Sequence, residues 1–588
     1  MKRKTNHGST QIILFLSILH FMASLFWSRS FFKSIRQNCG VENVAYKWLS
    51  TGRTLAEDQI ARTMCRIYSF ILAFILIIIM WTFVIGVFDA WKNRKIERRY
   101  IIIYLLLIVL GVGLIIGIYP RTIVEATDTT WNYTYAKEWL PIYWHGYLTN
   151  VIHCACMIIF PHPIAMSIIP YFWGITEMYY FTYMVFVRIK SKTEVKNELY
   201  NIWIWIVFLL LAPESLLILT YAGRNYMYAL VSVGYIGCLL KDYLLNHNLT
   251  WPKFILLAAL VVILGTWRSE GVIYLVFFPI LLYMVYWYKK KSFHEVKRLV
   301  LMKGIMLLAG LYFIMVMPGK YGVEKYQGDD YAIVNTPAPL AAVYHDKNAD
   351  VSYVGAVNDW KTIFSVIPEE YISKYGKLSE FYYEFDQLNS PRQAHAGVAG
   401  KKYIVAAYRI LLHNTDIYLK NQLYFYTESI GLGNTLHYQE PKIEDWTKNA
   451  SAEALAWFDW IWSYFSIGKE NLSVNYNITI INKKIDTMIN SVLNKVIDKV
   501  YSIGWAMSGY VKGITVLAMV VICIWCLLKK EWVWVLIGGM ILAVLAVIIL
   551  TAPAMRENYY YSPYYNQYWY ILFYLCYMKK RRGLDKAC

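Results

Sequence analysis

Apolar runs recur along the chain near 11-27, 67-88, 100-119, 164-187, 200-219, 226-245, 253-267, 271-288, 299-316, 508-528, 532-551 and 563-578. A bilayer core is matched by about 20 apolar residues in a helix, so each run predicts a transmembrane helix. The runs at 253-267 and 563-578 are short for that task. Basic clusters sit at the run ends: Lys92/Arg94/Lys95/Arg98/Arg99, Arg188/Lys190/Lys192, Lys241, Lys289/Lys290/Lys291, Lys529/Lys530 and Lys579/Lys580/Arg581/Arg582. With about 12 crossings, these clusters and Lys2-Arg3-Lys4 fall on one side, which the positive-inside rule makes the cytoplasm. The segment 28-66 is the exception, carrying seven basic and three acidic residues on the outer side.

Two stretches need separate decisions. Counting 145-160 as a crossing would invert everything after it, and it is short and ends in Pro161-His162-Pro163. It is read as a helix lying in the external interface. The segment 318-505 is long enough for a folded external domain. Its early part is polar, the stretch from Leu455 to Phe465 is dense in aromatics, and Ile485, Ile489, Val492, Val496 and Val500 recur at helical spacing. Both an ordinary domain packed on the membrane face and a cover over a lipid-facing cleft fit that pattern. The expectation is an all-α polytopic membrane protein of about 12 transmembrane helices, an interfacial helix, and an external mixed or mostly helical domain. It divides into a membrane module at 1-317, an external domain at 318-505 and C-terminal transmembrane helices at 506-588.

Composition supports the class: 58% of residues are hydrophobic and 16% charged, with a mean hydropathy of +0.37. Soluble chains carry about 25% charged residues. The net charge of +19 is spread over the run ends and gathers on no single domain, so a nucleic-acid partner is not expected. Nine cysteines lie mostly in or beside apolar runs, and none falls in 318-505, so that domain is not disulfide-stapled. Cys523 and Cys526 read as two small hydrophobes on one helix face. Lys2-Arg3-Lys4 before the first run reads as a retained signal anchor, because Ser28-Arg29-Ser30 is a poor cleavage site. Both termini are then cytoplasmic, in a multi-pass protein of the cell membrane.

Ionisable residues at the predicted outer ends form a short set. Glu125 and Asp128 lie in the loop 119-145, with His145 at its end. Glu214, Arg224, Arg268, Glu270, Arg556 and Glu557 follow. The interiors of the runs read as almost free of charge, whereas transporters place charges near the midplane. A surface set of carboxylates and arginines suits a reaction on a molecule with an anionic head group. Arginine grips phosphate bidentately, and a carboxylate can take a proton from an attacking hydroxyl.

The order of these features resembles the GT-C superfamily of membrane glycosyltransferases, in the manner of protein O-mannosyltransferases and their bacterial relatives. The matching residues are Tyr119-Pro120 leading to Glu125 and Asp128, then His145-Gly146 opening the interfacial stretch. Arg268-Ser269-Glu270-Gly271 is similar to an Arg/Lys-x-Glu-Gly segment at a later hairpin. Arg556 to Tyr565, with Ser562-Pro563, is similar to the pattern near the family's last spans. The chain departs from the family in carrying Gly after His145, three spans before the loop, and Asn225 where relatives often have a second Asp. No metal ligand is therefore assigned; a divalent metal is possible but not indicated, and no cofactor is expected.

The resemblance implies transfer of a sugar, with inversion, from a polyprenyl-phosphate-linked donor to a glycan, lipid or protein acceptor. It makes 119-145 the catalytic loop and Asp128 the general base, with Glu125 or His145 positioning the acceptor. Arg224, Arg268 or Arg556 would hold the phosphate, and Glu270 would contact substrate. Plainer readings stand beside these. Asp128 could cap a helix, Arg268 and Glu270 could pair across a hairpin, and His145, Arg224 and Arg556 could anchor an interface. Two other functions remain open: a cell-surface glycan polymerase or ligase using lipid-linked oligosaccharide, and a lipid-linked sugar flippase or transporter.

Overall fold

The computed structural model describes residues 7–37, 55–92, 98–118, 132–133, 136, 139–140, 147–182, 224–286, 306, 310, 336–374, 400–430, 512–552 and 557–585. Among them there is no strand. The described residues are all-α, and two of the predicted crossings, 200-219 and 299-316, lie almost wholly outside them. The other predicted runs fall on helices. Five of these are long and apolar enough to cross a membrane: Thr10–Lys33, Arg62–Asp89, Arg224–Leu245, Ser269–Tyr286 and Trp532–Thr551.

The helices form two compact units: Met1–His247, Tyr464–Ser502 and Phe573–Cys588 in the first, Asn248–Ser463 and Ile503–Leu572 in the second. The first unit contains α1 (His7–Gln37), α2 (Leu55–Lys92), α3 (Arg98–Ile118), α4 (Tyr147–Ile159), α5 (Ala165–Thr182) and α6 (Arg224–Leu245). Only 11% of the apolar window of α1, and as much of that of α2, is buried. Phe15, Leu19, Phe26, Ile67, Ile71 and Ile75 stand outward. Apolar faces of that extent call for lipid, because water would have to be ordered around them.

The stretch read as an interfacial helix forms α4, but its setting differs from the expectation. Asn150 Nδ2 donates to the Leu140 carbonyl (2.6 Å), and the Trp139 ring packs, tilted, against Phe32 of α1 with ring centroids 4.1 Å apart. At the other end, the Ile159 carbonyl accepts from His20 Nε2 of α1 (3.2 Å). Phe32 and His20 are twelve residues apart, about 18 Å of helix. α4 therefore runs alongside α1 instead of across it, and its side chains from His153 to Ile159 are all buried. An in-plane helix would keep one polar face in water. The chain then breaks at Phe160–Ile164 and resumes as α5. There Tyr171 donates to the Leu107 carbonyl (2.7 Å) and Thr176 meets the Tyr104 hydroxyl (2.9 Å), fixing α5 antiparallel to α3. The break has a direct cause: Pro161 and Pro163 lack the N–H groups that helix continuation needs.

The second unit contains the hairpin α7 (Trp251–Trp267) and α8 (Val272–Tyr286), joined by a 3-10 turn at Ser269–Gly271. Pro252 sits in the first turn of α7, where its missing donor costs nothing. A bundle follows: α9 (Pro337–His345), α10 (Ala356–Phe364), α11 (Glu369–Lys374), α12 (Gly400–His413) and α13 (Thr415–Ser429). Its core is Leu340, Ile363, Tyr403, Ala407, Ile410 and Phe425. This is the described part of the expected external domain, and it is helical. The aromatic stretch 455–465 and the periodic stretch 485–500 lie outside the described residues. α14 (Lys512–Leu528), α15 (Trp532–Thr551), a 3-10 turn at Glu557–Tyr560 and α16 (Tyr561–Asp585) complete the chain, α16 belonging to the first unit from Phe573.

The bundle is fastened to the C-terminal end of α15. The Leu550 carbonyl, one of the last-turn acceptors a helix leaves unpaired, accepts from Tyr418 Oη and from Gln422 Nε2 (2.8 Å), both on α13. Within the bundle, Tyr353 stacks on His413 at 3.9 Å and donates to Asp359 (2.7 Å), which Arg409 also binds at 3.2 Å. Asn414 brackets the chain at Asp350, accepting from its N–H (2.6 Å) and donating to its carbonyl (3.1 Å).

Candidate functional site

In the second unit, several polar side chains gather at one end of the apolar helices. α7 and α8 meet at Trp267-Arg268-Ser269-Glu270-Gly271. The turn is tight: a Cβ on Gly271 would stand 1.9 Å from the Leu264 carbonyl oxygen, so only glycine closes it. Arg268 Nε pairs with Glu270 Oε1, and the Ser269 hydroxyl lies 3.4 Å from Oε2. Glu270 is buried and Arg268 is nearly so. A buried carboxylate needs such a partner.

One turn beyond the apex, Tyr274 carries the cluster across to α16. Its hydroxyl meets Ser562 Oγ at 3.4 Å and accepts from Asn566 Nδ2 at 3.3 Å. On the same first turns of α16, Tyr564 lies under Lys512, whose Nζ stands 5.0 Å from the ring centroid. Lys512 is only 1% exposed. Thr515 Oγ1, one turn on, donates to the Lys512 carbonyl (2.8 Å) and faces Gln567 Oε1 at 3.3 Å. From α13, Tyr426 packs against Tyr560 with ring centroids 5.3 Å apart. Burial raises the Tyr426 phenol above its ordinary range, an effect that the Tyr564 hydroxyl and the Lys512 charge partly offset. Tyr426 is thus a neutral hydroxyl beside a cation.

The other sequence-predicted residues fall as follows. Arg224 opens α6 in the first unit and is buried there with Asn225. Asp128, Glu125, His145 and Arg556 lie outside the described residues. Among the described residues, no group of three or more His, Cys, Asp or Glu side chains could hold a metal.

Sequence reasoning missed two groups. Lys512 is one: a lone cation just inside an apolar run looks like an interfacial anchor, and only the fold brings Tyr564 and Tyr426 to it. The other is Glu177, which corrects the reading of charge-free interiors. It stands well inside α5, is 9% exposed, and its Oε2 has no hydrogen-bond partner among the described residues. Gly234 of α6 makes room for it, since a Cβ there would stand 2.7 Å from Oε1. The signal was present as a single Glu in an aromatic run. The chain matches no protein-family model, no curated protein and no solved structure.

Proposed function

We propose that this chain is a membrane glycosyltransferase of about 12 crossings that moves a sugar from a polyprenyl-phosphate-linked donor to an acceptor hydroxyl on the extracytoplasmic face. The observation that carries the reading is the order of Glu125-x-x-Asp128, His145, Arg268-x-Glu270-Gly271 and Arg556 along the chain, all at the predicted outer ends. The packing of Tyr274, one turn past the hairpin apex, against Ser562 and Asn566 supports it, because it brings the Arg268-x-Glu270-Gly271 hairpin beside the Ser562-Pro563 segment. Nucleotide sugars are confined to the cytoplasm, so an outward-facing transferase needs a lipid-borne donor.

In the reaction, Asp128 takes the proton of the acceptor hydroxyl as its oxygen bonds to the anomeric carbon. The bond from that carbon to the phosphate oxygen breaks, and the phosphate leaves with the electron pair, its charge met by arginine. The inverting displacement needs no covalent enzyme intermediate. Membranes containing the chain, supplied with polyprenyl-phosphate hexoses, should transfer label to endogenous acceptor. Asp128→Asn should lose at least about 100-fold of that rate. Equal transfer by both proteins would remove Asp128 from the mechanism and with it this reading.

Glu177 favours a second reading, translocation of a lipid-linked sugar. Intramembrane carboxyls mark substrate and ion paths, and α4 and α5 form a broken helix of the kind transporters use. Proteoliposomes loaded with a fluorescent lipid-linked sugar would separate the two. Flipping abolished by Glu177→Gln but untouched by Asp128→Asn would favour translocation.

A further inference from the structure

α12 carries two apolar faces. At about 100° per residue, Tyr403, Ala407 and Ile410 fall together on one side and build the core of the bundle. Val405, Tyr408 and Leu412 lie on the opposite side, within about 60° of one another, and all three are exposed. Leu412 is 73% exposed, too open for a side chain that the bundle itself shelters. Lys401 falls in line with this outer stripe, Lys402 stands beside it, and both are exposed. A helix surface that meets only water is polar, so an apolar outer stripe with cations at one end calls for a partner.

The place of α12 in the fold identifies that partner. The seat of α13 is the Leu550 carbonyl, in the last turn of α15. Leu419 and Leu423, each next in sequence to one of the two seating side chains, are exposed. Tyr408 is close enough to Tyr418 to act on it electrostatically, so the stripe of α12 runs up to the same seat. α15 has 20 residues, about 30 Å of helix, which matches the hydrocarbon core of a bilayer. Its last turn marks the level at which the hydrocarbon ends, and α12 stands beside it. Tyrosine and lysine suit that level, with ring and methylene stem among the lipid and hydroxyl and ammonium among the headgroups. We propose that α12 lies on the membrane surface beside the end of α15, with Val405, Tyr408 and Leu412 entering the headgroup layer and Lys401 and Lys402 meeting the phosphates of anionic phospholipid. Lysines beside an apolar stripe favour lipid of net negative charge, because a zwitterionic headgroup attracts them less.

The test reconstitutes the full chain in vesicles of phosphatidylcholine, with and without phosphatidylglycerol, each holding a trace of phospholipid with a photoreactive group high in its acyl chain. Adducts are mapped by peptide mass spectrometry, with α15 as the positive control. Wild type should carry adducts across 401–412, in higher yield when phosphatidylglycerol is present. Lys401→Gln with Lys402→Gln should lower that yield about fivefold or more in the anionic vesicles and leave α15 labelled as before. Val405→Ser with Leu412→Ser should lower it in both kinds of vesicle. Docking requires no glycosyl transfer, so Asp128→Asn should label as wild type, and a loss of transfer in that variant bears on the reaction and not on this surface. Labelling of α15 without labelling of α12 overturns the proposal. So does an α12 yield that neither phosphatidylglycerol nor the lysine substitutions change.

Discussion

Gly271 shows how a single residue fixes the apex of the α7–α8 hairpin. Its hypothetical Cβ meets backbone, not the end of a flexible side chain, so nothing nearby can swing aside. Gly271→Ala should therefore destabilise the purified protein by about 1–3 kcal/mol, read as a lower thermal midpoint. An unchanged midpoint would mean that the apex is looser than its geometry. Asp350 offers a residue-scale test by pH. Hydrogen bonds from the Ser352 hydroxyl and N–H hold its carboxyl below the ordinary range, and His413 adds to this. A folded value below the unfolded one contributes stability at pH above the unfolded value, and that contribution is lost as pH falls through the folded value. Amide exchange of the loop 346–355 should rise as pH drops below about 4, and Asp350→Asn should remove that dependence. The same acid response in the variant would assign it to another group.

Between elements, α13 is seated on the end of α15 by two side chains. Tyr418 and Gln422 lie one turn apart and share the Leu550 carbonyl, so the bundle is held at one end of a helix that is apolar throughout. Replacing both, Tyr418→Phe with Gln422→Leu, should cost about 1–3 kcal/mol and speed amide exchange across 415–429, with either single change costing less. Exchange as slow as in wild type would place the attachment elsewhere. Element positions were largely legible in the sequence, because an apolar run is a direct record of where lipid or core must be met. Boundaries were not. α2 begins at Leu55, well before the apolar run at 67, because Glu57, Asp58, Gln59, Arg62 and Arg66 continue a helix that hydropathy alone ends. The setting of α4 was also hidden, since its burial depends on α1 and α2, which no local pattern reports.

At the scale of the whole molecule, the site was legible in part. Arg268-x-Glu270-Gly271 announced a hairpin apex, and the apex is there, its pair facing inward. Lys512 was illegible for a physical reason: its meaning comes from Tyr426 and Tyr564, which lie tens of residues away along the chain on other helices. Glu177 was visible but unweighed, because a lone carboxyl among Tyr179, Tyr180 and Phe181 resembles an aromatic belt until Gly234 is seen to accommodate it.

The broken path from α4 to α5 also bears on how the chain reaches the bilayer. α4 has 13 residues, about 20 Å of helix, against a hydrocarbon core of about 30 Å. Emerging from the ribosome, it is too short to partition into lipid as a crossing of its own. Its neighbours α1 and α2 are synthesised first and already present the surface that covers it. Membrane insertion of this region is thus sequential by construction: α4 enters by docking on an inserted hairpin, and a chain lacking α1 would leave it stranded at the surface.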